Sequence, residues 1–351
     1  MQRCSLHSLA LFAAVIMVSC GTDALQVSGE WHFEGLEGVA INKIIPSSAS
    51  DRLILATDDG VFIYEEDQFT PVGLQGEEVN DLVEMGEDEI LAGIRTTTMD
   101  GGEDSLFKTT DGGATWQVHM GNYGGEERKH TSINALAQHP DDPRRLYARG
   151  WLNVPRSLDG GQTWESLYRD WEWFGMNASL LRIDPNNPDI IWAGGANTLS
   201  RPNLLRTTDG GETWENLLFE LQIFEAGYES TAYSIAIRPG RSSHLLLGLG
   251  VGVFRSTDLG KSWESVFDQA AVLAMANSPR FSRAVYAAGF NQQQTLFLLV
   301  TPDFGSTWKT IEKENSPSNI HVNDLTLVEQ DGQDVLYFGT NRGVFSYRID
   351  R

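Results

Sequence analysis

Two stretches of the 351-residue chain set aromatic rings beside carboxylates. Tyr168, Trp171, Trp173 and Phe174 interleave with Asp170 and Glu172, and Phe224 and Tyr228 repeat the mixture with Glu225 and Glu229. Aromatic plates stack on the CH faces of sugars while acids accept from hydroxyls, so these residue types suit a saccharide or peptide site with Trp171, Trp173 and Tyr228 as its apolar contacts. Hydrolysis of a glycoside asks for more, namely two carboxylates about 5–9 Å apart across the substrate. Asp170, Glu172, Glu225 and Glu229 are the candidates for that role. The plainer alternative is that these rings pack inward as the cores of their own loops.

Other chemistries find less support. His32, His119, His130, His139, His244 and His321 are scattered, with no H-x-H or H-E-x-x-H spacing. Asp100-Gly101-Gly102-Glu103-Asp104 lacks the alternating ligands of a calcium loop and reads as solvated. No metal and no cofactor are expected. The net charge of −22 argues against nucleic acid or an anionic membrane surface as partner, because both need basic patches.

The start of the chain reads as an address. Arg3 and His7 precede an apolar run from Leu9 to Val18, too short to span a membrane. Met17-Val18-Ser19-Cys20 resembles a bacterial lipobox, which implies that Cys20 carries lipid and begins the mature protein. Cys4 is removed with the leader, so no second thiol remains for a disulfide. The expected layout is a signal peptide over 1–19, a tether over 20–28 and one folded unit over 29–351. The expected location is the cell envelope, outside the cytoplasm, with the membrane met through the lipid anchor only.

The folded unit is organised by an eight-residue stretch used five times. Its first copy is Thr109-Thr110-Asp111-Gly112-Gly113-Ala114-Thr115-Trp116, and the others centre on Asp159, Asp209, Asp258 and Asp303. All fit (S/T)-x-D-x-G-x-(S/T)-W at a nearly constant period, the mark of a repeat architecture. The residue types describe a tight corner. Asp accepts from the backbone amides just after it, the Gly two residues on takes positive φ, and the Trp returns an aromatic plate to the core.

These copies resemble Asp-boxes, the BNR repeats of sialidases and related β-propellers. The resemblance implies a propeller in which the five aspartates are structural. It also implies tests of function that the chain does not meet. The Arg-Ile-Pro of sialidases is absent, and the nearest sequence, Arg238-Pro239, falls in a turn on the box side. Xyloglucanase-like enzymes place their acids between two propellers, whereas one is expected here. Photosystem-assembly propellers of the same repeat class use a clustered basic patch, and none is visible along the chain.

Apolar runs around each box define a four-stranded meander, A-B-C-D, with the box on the C–D turn. Two further units lack the box but keep the runs, at Ile41–Tyr64 and Val322–Tyr347. Inner strands then start near Ile41, Val79, Ile133, Leu180, Tyr233, Leu273 and Val322. The expected fold is therefore all-β, a seven-bladed β-propeller. The last unit lacks its D strand, and Gln26–Phe33 alternates well enough to supply it beside Gly343–Tyr347, with Trp31 standing in for a box Trp.

Meander geometry puts the A–B and C–D turns on one face and the longer B–C and D–A loops on the other. Function is expected on the loop face, through a polysaccharide or protein partner. Asn42, Asn80, Asn134 and Asn323 share the second position of strand A in neighbouring blades. They would form a polar arc at the channel mouth, either binding a ligand or bridging blades. The sequence thus favours a monomeric, lipid-anchored, non-catalytic binding or assembly scaffold. The second reading is a glycoside hydrolase or lyase.

Overall fold

The second strand of each unit is apolar at consecutive positions, as in Leu53–Thr57, where all five residues are buried. Such a strand needs cover on both faces, and the fold provides it by standing sheets side by side. The computed structural model describes residues 28–95, 106–119, 133–150, 153–169, 180–196, 201–217, 230–290, 296–311, 319–330 and 332–349. These form seven four-stranded antiparallel sheets, with no helix among the described residues. The inner strands are Ile41–Pro46, Val79–Gly86, Ala135–His139, Leu180–Ile183, Ala232–Arg238, Ala271–Asn277 and Val322–Gln330. Their starts fall on or within two residues of the expected ones, such as Ala135 for Ile133 and Ala271 for Leu273.

A separate hydrophobic cluster sits at each junction between neighbouring sheets. Ile54, Ala56, Val79 and Leu82 join blades 1 and 2, and Ile41, Leu55, Val335 and Tyr337 join blades 7 and 1. The tryptophan of every eight-residue turn packs into the junction with the preceding blade: Trp116 between blades 1 and 2, Trp164 between 2 and 3, and Trp308 between 5 and 6. Buried apolar surface is therefore distributed around the ring, as a repeat architecture requires.

The ring closes as the alternation of the N-terminal segment suggests. Strand Gly29–Gly35 pairs antiparallel with Gly343–Ile349, with Trp31 opposite Tyr347. The indole lies 4.7 Å from the Phe338 ring and 5.2 Å from Tyr347, in the junction between blades 6 and 7. It enters from within its strand, whereas the turn tryptophans stand just before theirs, so the two solutions fill the same kind of space from different registers.

Candidate binding faces and the central channel

The five repeated turns are built alike. In the Asp209 copy, Oδ1 accepts from the Thr213 amide at 2.9 Å and from the Thr207 hydroxyl at 2.7 Å, while Oδ2 accepts from the Thr213 hydroxyl at 2.6 Å. Thr207 Oγ1 also accepts from the Gly211 amide at 2.9 Å. Gly211 has φ of +98°, and a Cβ there would lie 2.4 Å from Leu167 Cδ1, so only glycine fits. The Thr213 hydroxyl and amide hold the Asp209 carboxyl well down, at about 2, and the corresponding groups of Thr115 do the same for Asp111, also at about 2. Asp159, Asp258 and Asp303 make the equivalent bonds in their own turns. The structure does not bring these five acids together.

Each turn is fastened to the A–B turn of its own blade. The amides of Gly112, Gly160, Gly210, Leu259 and Phe304 donate to the carbonyls of Asp88, Arg144, Asp189, Ser243 and Arg283, at 2.8–3.1 Å. Both kinds of turn therefore share one face of the ring. The opposite ends of the strands lead into the B–C and D–A connections, among them 170–179 and 218–229, which follow adjacent blades. Asp170, Trp171, Glu172, Trp173, Glu225, Tyr228 and Glu229 lie in those connections, outside the described residues, as does Cys20.

The asparagine arc is present in the channel wall. Register shifts at Ile41/Lys43, Val79/Asp81 and Val322/Asp324 mark bulges at Asn42, Asn80 and Asn323. A bulge re-aims the side chain it carries. Here the amide groups donate to the next blade: Asn42 to Val79 O at 2.8 Å, Asn80 to Ile133 O at 2.7 Å and Asn323 to Ile41 O at 3.0 Å. Asn134 also lines the channel, and its backbone amide donates to Arg149 O at 2.8 Å. The side chains of Asn42, Asn80 and Asn323 bridge blades, the second of the two roles weighed for the arc, the Asn134 amide bonds within its own blade, and all four residues border the channel space.

The residue after the asparagine was not singled out by sequence reasoning, and it completes the clip. Asp324 Oδ2 accepts from the Ile44 amide at 2.8 Å, and Asp81 Oδ2 accepts from the Leu136 amide at 2.8 Å. Each Asn-Asp pair thus holds the neighbouring inner strand at two points three residues apart. Blade 1 carries Lys43 at the aspartate position. Its ammonium pairs with Asp324 at 3.1 Å, and the otherwise unmatched Leu82 amide donates to its neighbour Asp81 at 2.8 Å. The Asn-Asp repetition at Asn80-Asp81 and Asn323-Asp324 is the signal that could have revealed this.

All seven inner strands border one channel of about 760 Å³. Its charged lining is Lys43, Asp81, Glu84, Arg182 and Asp324. Burial pushes Asp81 up to about 6, against the opposing pull of Lys43 and two amides. Burial would lower the Lys43 ammonium, but Asp324 and then Asp81 outweigh it and the net shift is upward. A third of the Lys43 side chain remains accessible, at 34%, yet the space it meets is the channel and not open solvent. Arg182 also opens into the channel, and enclosure holds its guanidinium below the usual value, with Asp324 and Asp184 opposing. No group of three or more His, Cys, Asp or Glu suited to a metal ion occurs among the described residues.

The turn face holds a feature that the linear sequence conceals. Arg238 and Arg241 close the A–B turn of blade 5, and Arg283 lies in the equivalent turn of blade 6. Burial first, then the charges of Arg241 and Arg283, lower the Arg238 guanidinium. His244 beside them is held below the usual imidazole value by burial and by Arg238, Arg241 and Arg255. The ring sets turns a whole unit apart in sequence beside each other, which is how these arginines come together.

Comparison with known proteins places the architecture. No family model matches the chain, and no curated protein matches it. A solved structure of YCF48 bound to D1 peptide superposes with a TM-score of 0.64 at 15% identity, covering 92% of this chain and 97% of that one. YCF48 from Cyanidioschyzon merolae gives 0.65 at 13% identity, over 91% and 98%. The GH74 enzyme of Niastella koreensis gives 0.64 at 14% identity, over 90% of this chain and 53% of that one. Identities this low speak to fold alone, and on that level the comparisons agree with the sheets and junctions described above: the chain is a seven-bladed β-propeller.

Proposed function

We propose that this chain is a lipid-anchored, extracytoplasmic propeller that works as a non-catalytic binding or assembly scaffold through its loop face. One observation carries the preference for a scaffold over an enzyme. Every carboxylate lining the channel among the described residues accepts a backbone amide: Asp81 from Leu82 and Leu136, Glu84 from Ser48, and Asp324 from Ile44. Acids engaged in this way hold blades together instead of flanking a scissile bond. The eight-residue turns, with their locked aspartates, fit the Asp-box (BNR) reading and are structural. YCF48 bound to D1 peptide matches over nearly its whole length, whereas this chain spans about half of the GH74 chain, which supports a single-propeller scaffold.

The partner is a protein or a polysaccharide, gripped by Trp171, Trp173 and Tyr228 on consecutive D–A connections. Replacing Trp171 and Trp173 with Ala is expected to weaken capture by about 1 kcal/mol or more each, with little change in melting temperature. Cross-linking pull-down and glycan-array binding on the same stable variants measure this, and unchanged binding overturns the site. Turnover of a polysaccharide that disappears on changing Asp170, Glu172, Glu225 or Glu229 to the amide would replace the scaffold reading with the glycosidase one. Cys20→Ala is expected to move the protein from the membrane to the soluble extracytoplasmic fraction, and equal partition of both forms refutes the anchor.

A further inference from the structure

The chain carries a net charge of −22, yet Arg238 and Arg241 in the A–B turn of blade 5 and Arg283 in that of blade 6 stand on one rim of the turn face. Among the described residues no ion pair joins Arg238 or Arg241 to an acid, and Arg283 donates to the Asp303 carbonyl at 3.3 Å. Acids nearby are already engaged: Glu264 with Arg255 at 2.7 Å, Glu329 and Asp334 with Arg280 at 2.6 and 3.0 Å, and Asp258 and Asp303 with the Ser262 and Thr307 amides of their own turns at 2.9 and 2.7 Å. Like charges held side by side repel, and that cost is relieved by an anionic surface.

The position of the N-terminal strand says which surface. Gly29 pairs with Ile349 at the end of blade 7 where the C strand arrives at the turn face. The described chain therefore enters the ring at Ser28 and Gly29 on the turn face, in the blade next to blade 6. Nine residues reach at most about 30 Å when extended, so an anchor at Cys20 keeps this rim close to the membrane. In the turns of blades 1 and 3, Arg52, Arg144 and Arg145 are paired with Glu84, Asp142 and Asp189, so the blade 5–6 rim is where, among the described residues, arginines face outward without an acid in reach. A six-residue strand spans about 20 Å, some two Debye lengths at physiological salt, so acids on the loop face are screened from that rim.

We propose that the rim formed by Arg238, Arg241 and Arg283 rests on anionic phospholipid headgroups and, together with the anchor, orients the loop face away from the membrane. This builds on the lipid-anchor reading above and departs from the expectation that the anchor is the sole membrane contact.

The test uses the full chain, extracted from membranes and partitioned onto vesicles of phosphatidylcholine alone or with phosphatidylglycerol. Binding to neutral vesicles reports the N-terminal anchor, and the increment on anionic vesicles reports the rim. A basic residue at an anionic surface is worth about fivefold in partition, so R241E/R283E is expected to remove at least about tenfold of the increment and to leave neutral-vesicle binding unchanged. R95E/R342E makes the same change in net charge at exposed positions on the loop face and is expected to keep the increment. Equal loss in both double variants, or none in R241E/R283E, overturns the proposal. So does loss of polyglutamate binding with unchanged vesicle partition, which would assign the rim to an acidic protein. Cys20→Ala separates the two readings: if neutral-vesicle binding is unaffected the anchor fails, while a retained anionic increment still upholds the rim.

Discussion

Replacing Asp324 with Ala removes two supports of ring closure at once. The Ile44 amide, on a residue that is 1% exposed, loses its acceptor, a stranding worth about 1–3 kcal/mol. Lys43 loses its partner at 3.1 Å. Water in the channel reaches part of Lys43, so the ion pair is weighted at about 1–2 kcal/mol, below the value for a dry buried pair. The sum is about 2–5 kcal/mol. At about 2.1 cal/mol/K per residue, a ring of this size shifts roughly 1.5 °C per kcal/mol, so the melting temperature should fall by about 3–8 °C. Lys43→Met removes the pair but leaves the amide bond, and should cost about 1–2 kcal/mol. Tryptophan fluorescence in urea on wild type, both single variants and the double gives a coupling energy expected near 1–2 kcal/mol. Coupling below about 0.5 kcal/mol would mean that the pair contributes nothing. An Asp324→Ala variant no weaker than Lys43→Met would refute the role of the amide clip.

Three further outcomes are expected. Burial raises Asp81 to about 6 from an unfolded value of 3.8, so the native state binds this proton more tightly, and its stabilising contribution is complete below about pH 4 and lost as pH rises through 6; the stability difference between wild type and Asp81→Asn, followed by urea titration from pH 4 to 7, should shift in that direction, and a flat difference would be inconsistent with an enclosed carboxyl. Asp209→Ala frees the Thr213 amide and both threonine hydroxyls in an exposed turn and should lower stability by about 1–2 kcal/mol without loss of partner capture; retained stability with lost capture would make this turn a functional site. Trp31→Ala empties a half-buried space against Phe338 and Tyr347 and should cost about 2–4 kcal/mol, and deleting residues 26–33 should expose the Gly343–Ile349 edge and promote aggregation; a deletion variant melting like the intact chain would contradict closure by this strand.

Much of the architecture is local and was therefore legible from residue order. Asp209 and its two threonines close a turn within eight residues, and Gly211 is demanded by a positive φ at a fixed offset. The blade count follows because each apolar run is confined to one strand, and Gln26–Phe33 advertised closure through simple alternation. What the tertiary structure decided involves groups far apart in the chain. Lys43 meets Asp324 across 281 residues, and the Asn-Asp clips depend on bulges that redirect side chains without any change in residue type. The arginine rim arises because the ring sets equivalent turns of blades 5 and 6 next to each other, so a patch absent from the linear sequence appears in space. Sequence could nominate Trp171, Trp173 and Tyr228, since residue type is written there, but the direction of a side chain on a long connection depends on what it packs against, which no local pattern specifies.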